Sequence, residues 1–117
     1  MKKYLAMTIG AVLVLFACSK SSDNNNNNTP VDCSGAAKSF ATDVAPIIQS
    51  SCATNSDCHA TGSTNGPGPL TTYAQVFTAR GNIRSAVSSG AMPKNGSLSA
   101  AQKSAIICWI DAGASNN

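Results

Sequence analysis

The sequence predicts a small all-α domain of three to four short helices, carried behind a disordered N-terminal tether. Three observations predict it. Apolar residues recur at helical spacing in Val44, Ile47 and Ile48 and again in Ile106, Trp109 and Ile110. Two Ser/Thr-x-x-Gln capping boxes, Thr72 to Gln75 and Ser99 to Gln102, mark helix starts. Ahead of them lies a polar stretch with five successive asparagines, Asn24 to Asn28, that has nothing to bury.

Residues 1–17 read as an export signal. Lys2 and Lys3 supply its positive start, and Leu5 to Ala17 is an uncharged, mostly apolar run. That run is shorter than the about 20 residues needed to span a bilayer. It ends Leu15-Phe16-Ala17-Cys18. A cysteine after a small residue at the close of such a run resembles the bacterial lipobox. The resemblance implies that Cys18 becomes a lipidated N-terminus; an ordinary signal peptide cleaved nearby is the alternative. Ser19, rather than an aspartate, follows Cys18, which by the same resemblance implies the outer membrane, on its periplasmic face or at the cell surface. More than one acyl chain anchors a protein stably without a transmembrane helix. Residues 18–32 are then the lipidated cysteine and a flexible tether.

Residues 33–117 form the folded part, one small domain. Its basic residues, Lys38, Arg80, Arg84, Lys94 and Lys103, do not cluster, and three aspartates offset them, so nucleic acid is not an expected partner. The chain has no glutamate and a single histidine, which argues against a paired-carboxylate hydrolase and a multi-histidine metal site. Leu, Ile, Val and Phe are sparse here, below the about 20% at which a chain can still count on its own core. A domain this size with so few large apolar residues is expected to need a covalent staple or a cofactor.

Taken in order, Thr42 to Ser51 reads as the first helix. Thr42 is its cap, Asp43 suits the positive start, and Pro46 is tolerated because it lies in the first turn. Residues 60–71, with Gly62, Gly66, Pro67, Gly68 and Pro69, are loop, either a plain surface loop or one wrapped around a ligand edge. The Thr72 box opens a helix from Tyr73 to Arg80, ended by Gly81, and a short helix from Ile83 to Ser88 ends at Gly90. Arg80 and Arg84 read as surface arginines, with the carboxylates of a bound cofactor as the other reading. The Ser99 box opens the last helix, stopped by Gly113. It bears an apolar face and a stripe of small residues, Ala101, Ala105, Cys108 and Ala112, suited to close approach by the first helix.

The residues that carry chemistry follow the first helix. Cys52 and Cys58, with His59 directly after the second cysteine, form a C-x5-C-H string. Two thiols followed by histidine are how a chain captures haem covalently, usually as C-x-x-C-H. Here five residues separate the thiols, and at about 3.3–3.6 Å per residue the longer link reaches easily. Beyond Cys18, the cysteines are 33, 52, 58 and 108, an even set that in an exported protein also reads as a disulfide framework with three possible pairings. If Cys52 and Cys58 hold haem, Cys33 and Cys108 remain and are expected to pair.

Together these residues resemble the small class I cytochrome c fold, in particular the haem c domains of bacterial outer-membrane lipoproteins. The resemblance runs from Phe40 to Ala114. It rests on Asp43-Val44-Ala45-Pro46-Ile47, Cys58-His59, Gly90-Ala91-Met92-Pro93, Leu98-Ser99 and the segment Cys108 to Ala114. It implies one covalent haem c with Cys52 and Cys58 as thioether carriers, His59 as proximal iron ligand and Met92 as distal ligand. A His/Met-ligated iron has no open position, so the implied role is single-electron transfer to redox partners in the cell envelope rather than enzyme catalysis. The alternative is a haem-free lipoprotein domain with two disulfides, Cys52–Cys58 and Cys33–Cys108, acting as a binding module. A third reading is the electron-transfer part of a larger oxidoreductase.

Overall fold

One π-helical turn, Phe40–Val44, and three helices, α1 (Ala45–Ser51), α2 (Tyr73–Ser89) and α3 (Ala100–Asp111), order the chain, with no strand among the described residues. The computed structural model describes residues 30–117. The export signal, Cys18 and the tether as far as Thr29 lie outside the described residues. No helix among those described is long and apolar enough to cross a membrane.

The first helical segment starts earlier than Thr42. Ser39 is the N-terminal residue, and its carbonyl accepts from the amides of Asp43 (3.0 Å) and Val44 (3.2 Å). The Asp43 carboxylate in turn accepts from the Ser39 amide at 2.7 Å, satisfying a donor that helix starts leave open. The start is pinned from the far end of the sequence. Asn117 accepts through its backbone carbonyl from Ala41 N–H (2.9 Å) and the Ser39 hydroxyl (2.8 Å), and through Oδ1 from Phe40 N–H (2.9 Å). Pro46 sits in the first turn of α1, as its missing N–H requires.

The largest departure from expectation is α2, which runs unbroken through Gly81. Both capping-box bonds at Thr72 and Gln75 are present, and the helix ends at Gly90, at φ +76. A glycine inside a helix costs about 1 kcal/mol against alanine, which is too little to break one that gains on both sides of it. Val76, Ala79, Ile83 and Val87 form one continuous buried stripe facing the core. Gly81 is exposed and a Cβ there would meet nothing within 4 Å. Gly81→Ala is therefore expected to raise stability by about 0.5–1 kcal/mol, measured by chemical denaturation.

In α3 both bonds of the Ser99–Gln102 capping box form. The helix closes with Gly113 N–H donating to Ile110 (3.0 Å) and Ala114 N–H to Trp109 (2.9 Å), a Schellman arrangement with Gly113 at φ +104. Ala114 is fully buried beneath it. α3 packs against both α2 and the π turn. The stripe of small residues is not a uniform contact: Ala105 is buried, but Ala101 and Ala112 are exposed. Close approach there is unnecessary because α3 meets its neighbours through Ile106, Ile107 and Trp109 instead.

Trp109 is the largest fully buried side chain among the described residues and shares one core cluster with Val44, Ile48, Val76, Ile83, Val87 and Ile106. Phe40 and Tyr73 stack around it at ring separations of 5.4 and 6.4 Å. The sparse aliphatic inventory is thus supplemented by aromatic packing. It is also supplemented by a disulfide: Cys33 and Cys108 are bonded, with a Cα–Cα distance of 5.4 Å. Closing a loop of 75 residues stabilises the fold by about 4 kcal/mol on the chain-entropy estimate. Val31 packs against the same core, and the Asp32 carbonyl accepts from the Ser104 hydroxyl at 3.3 Å. Arg84 clamps α2 to α3 through a two-pronged pair with Asp111, at 2.6 and 2.9 Å. That pair is exposed and contributes little to stability. Arg80 lies over the Phe77 ring, 4.0 Å from its centroid, and donates to the Phe77 carbonyl. Both arginines therefore have partners within the domain.

Candidate functional site

α1 delivers the chain to Cys52, which caps its C-terminus and donates its amide to Ile48 at 2.9 Å. From there to Leu70 the backbone turns back on itself without regular structure, and hydrogen bonds take the place of a helix. Cys52 and Cys58 are both free thiols, half-buried, at the two ends of the five-residue link. Cys52 also packs against the edge of the core. Burial pushes the Cys52 thiol up, and the neighbouring Cys58 adds to the shift, so Cys52 is held as a neutral thiol.

His59 joins them. Its amide donates to the Cys52 carbonyl at 3.0 Å, closing the link between the cysteines, and its own carbonyl accepts from Leu70 at 2.8 Å. The residue is buried, at 8% exposed. Its Nδ1 lies 3.0 Å from the Gly68 carbonyl oxygen. A carbonyl can only accept, so Nδ1 carries the proton and Nε2 of the neutral ring is left with a lone pair. No described residue bonds Nε2, and no sealed-off side-chain nitrogen lacks a partner, so Nε2 reaches solvent. A backbone carbonyl that fixes the ring and tautomer while the other nitrogen stays free is the arrangement of a metal-ligating imidazole. The glycine- and proline-rich loop places the Gly68 carbonyl against the ring.

Met92 is placed elsewhere. Its amide donates to Ala86 near the end of α2, at 3.2 Å, and its side chain is half-buried. Leu70, the partner of His59, lies just before the start of the same helix. From its start at Tyr73 to Ala86, α2 rises about 20 Å at 1.5 Å per residue, so His59 is bonded just ahead of this helix and Met92 near its end. Among the described residues no three His, Cys, Asp or Glu side chains converge as a site for a bare metal ion.

Sequence reasoning missed Asn55, Ser63 and Asn65. Asn55 accepts from Cys58 N–H through both its side chain (3.0 Å) and its carbonyl (3.1 Å). The Ser63 hydroxyl, 7% exposed, donates to the Cys58 carbonyl and accepts from Asn65 N–H. The one available signal was compositional: serine and asparagine favour side-chain to backbone bonds in turns. An open groove of about 410 Å³ runs beside the loop, lined by Pro67, Pro69, Gln75 and Thr78 among others. No family model matches the chain, and neither a curated protein nor a solved structure matches it.

Proposed function

We propose that this domain is a c-type cytochrome-like electron carrier. It would hold one haem c through Cys52 and Cys58, with His59 as proximal and Met92 as distal iron ligand. The observation that carries this reading is the state of the residues around His59. Cys52 and Cys58 stay unbonded in a chain whose other described pair, Cys33 and Cys108, is oxidised, and the residue directly after Cys58 is a histidine whose Nε2 has no partner among the described residues. Thiols are what thioether formation requires, and a free imidazole nitrogen is what axial ligation requires. Cys52, Cys58 and His59 therefore fit attachment and proximal ligation, whereas Met92 is anchored at Ala86 near the far end of α2, so its place in the ligand set rests on the family resemblance. The haem-free alternative needs a Cys52–Cys58 disulfide, and the unbonded thiols weigh against it.

The bound group would supply a one-electron couple. The chain's own contribution is orientation. Gly68 fixes the imidazole, α1 and the core edge fix Cys52, and the Gly90-Ala91-Met92-Pro93 turn carries the thioether sulfur of Met92. With both axial positions filled, the centre would pass electrons to redox partners in the cell envelope without binding substrate. A lipid on Cys18 would hold the domain at the outer membrane.

The test is the visible spectrum of the full chain made in a bacterial host that matures haem c. A red protein with sharp reduced α and Soret bands and the added mass of one haem is expected. A colourless protein with no added mass overturns the reading. In the same preparation Met92→Ala is expected to keep the haem attached, lower the reduction potential and admit external ligands to the iron. If potential and ligand binding are unaltered, Met92 serves packing and the sixth position belongs to another group.

A further inference from the structure

Cys52 and Cys58 pose a question that the haem reading does not answer. A loop this short closes at little entropic cost, and exported cysteines by default oxidise in pairs. The two ends of the link meet through one hydrogen bond, His59 N–H to the Cys52 carbonyl at 3.0 Å, yet the two sulfurs are not bonded, whereas Cys33 and Cys108 are. A disulfide forms only within narrow limits of Cα separation and Cβ direction. Whatever fixes the backbone at both cysteines therefore decides whether they can bond.

Both are fixed. Cys52 is tied through its amide to Ile48 and through its carbonyl to His59. Cys58 is tied on each side. Its amide donates to Asn55, and its carbonyl accepts from Ser63. The flanking groups are held as well: the Asp57 carbonyl accepts from the Asn65 side chain at 2.7 Å, and Ala60 N–H donates to Asn55 at 3.0 Å. Ser63 and Asn65 are joined to each other. Ser63 and His59 are the two buried polar side chains among the described residues, and they brace consecutive positions of the same segment.

We propose that Asn55, Ser63 and Asn65 are positioning residues that hold Cys58 out of bonding geometry with Cys52, so that the pair persists as two thiols in an oxidising compartment. The inference rests on the proposed function and deepens it. The frame keeps both sulfurs available for thioether formation and makes the five-residue spacing workable.

The test uses the haem-free full chain equilibrated with reduced and oxidised glutathione. One protein thiolate displaces a glutathione thiolate from glutathione disulfide, and the second protein thiolate displaces the other. Two cysteines are thereby oxidised for each glutathione disulfide reduced to two thiols. Differential alkylation with peptide mass spectrometry reads Cys52–Cys58 separately from Cys33–Cys108. Ser63→Ala is expected to raise the equilibrium constant for the Cys52–Cys58 disulfide about tenfold, the weight of one buried hydrogen bond. Ser63→Thr, which keeps the hydroxyl, is expected to stay near the native value, and the Cys33–Cys108 pair is expected not to move. An unchanged or lowered constant in Ser63→Ala overturns the proposal. Should Ser63→Ala fail to fold, Asn55→Ala on the exposed side of the loop is expected to shift the same constant upward, and no shift there overturns it equally. A shift in these variants together with a native chain that never acquires haem would leave this inference standing and remove the electron-carrier reading. A haem-loaded native chain with no shift would do the reverse.

Discussion

His59→Ala is expected to abolish a low-spin haem spectrum entirely in protein matured with haem, leaving a high-spin or unligated species. The expectation follows from the ring's two nitrogens having separate duties. Nδ1–H is committed to Gly68, so Nε2 alone is available to iron. Alanine removes both duties at once, and it also leaves the Gly68 carbonyl without its donor. His59→Asn separates them. The amide nitrogen of asparagine can donate to Gly68 from about where Nδ1 stood, while nothing replaces Nε2. His59→Asn is therefore expected to keep the helical far-ultraviolet circular dichroism of the native chain and to lose the low-spin bands as completely as His59→Ala. Low-spin bands unchanged in His59→Asn would remove His59 as a ligand and leave it as a buried brace for the loop.

What the sequence made legible, and what it hid, divides along the range of the interactions involved. The two capping boxes are readable because donor and acceptor lie three residues apart, and both form as written at Thr72–Gln75 and Ser99–Gln102. The stop at Gly113 is local in the same sense. The Cys33–Cys108 bond spans most of the domain, and it was legible because the C-x5-C-H string sets Cys52 and Cys58 apart and leaves these two. The start of the first helical segment was misplaced at Thr42 because its true anchor, Asn117, is at the other end of the chain. Gly81 reads as a stop because its local cost is visible in the sequence. The compensating packing of Ile83 and Val87 on α3 is not. At the candidate site, residue type and order announced Cys52, Cys58 and His59. The side chains that fix them, Asn55, Ser63 and Asn65, sit in a segment with no periodicity, where many serines and asparagines look alike. Gly68 is the intermediate case. It was expected to be loop, and its role emerges only because its carbonyl meets His59 across nine residues.

Trp109→Ala is expected to cost about 4–5 kcal/mol, the upper part of the range for a buried large-to-small change. For a domain whose total stability is of order 5–15 kcal/mol, that leaves it marginal or unfolded at room temperature. Three contributions place it high in the range. The side chain is 1% exposed at the centre of the core, so its removal leaves a cavity bordered by elements that the disulfide and the α2–α3 packing keep from collapsing. It also removes the ring against which Phe40 and Tyr73 pack. Finally, the indole Nε1–H donates to the Ser115 carbonyl at 2.8 Å. Residues 115–117 form the strap whose end, Asn117, pins Phe40 and Ala41. Losing the indole therefore loosens the C-terminal strap and, through it, the first helical segment that leads to Cys52. Urea denaturation followed by far-ultraviolet circular dichroism measures the loss. Trp109→Phe, which keeps much of the ring but not the N–H, is expected to fall between native and alanine. A cost below about 2 kcal/mol for Trp109→Ala would mean that the core is not centred on this side chain. The strap of residues 115–117 would then be held by Tyr73, whose hydroxyl donates to the Ala114 carbonyl at 2.9 Å.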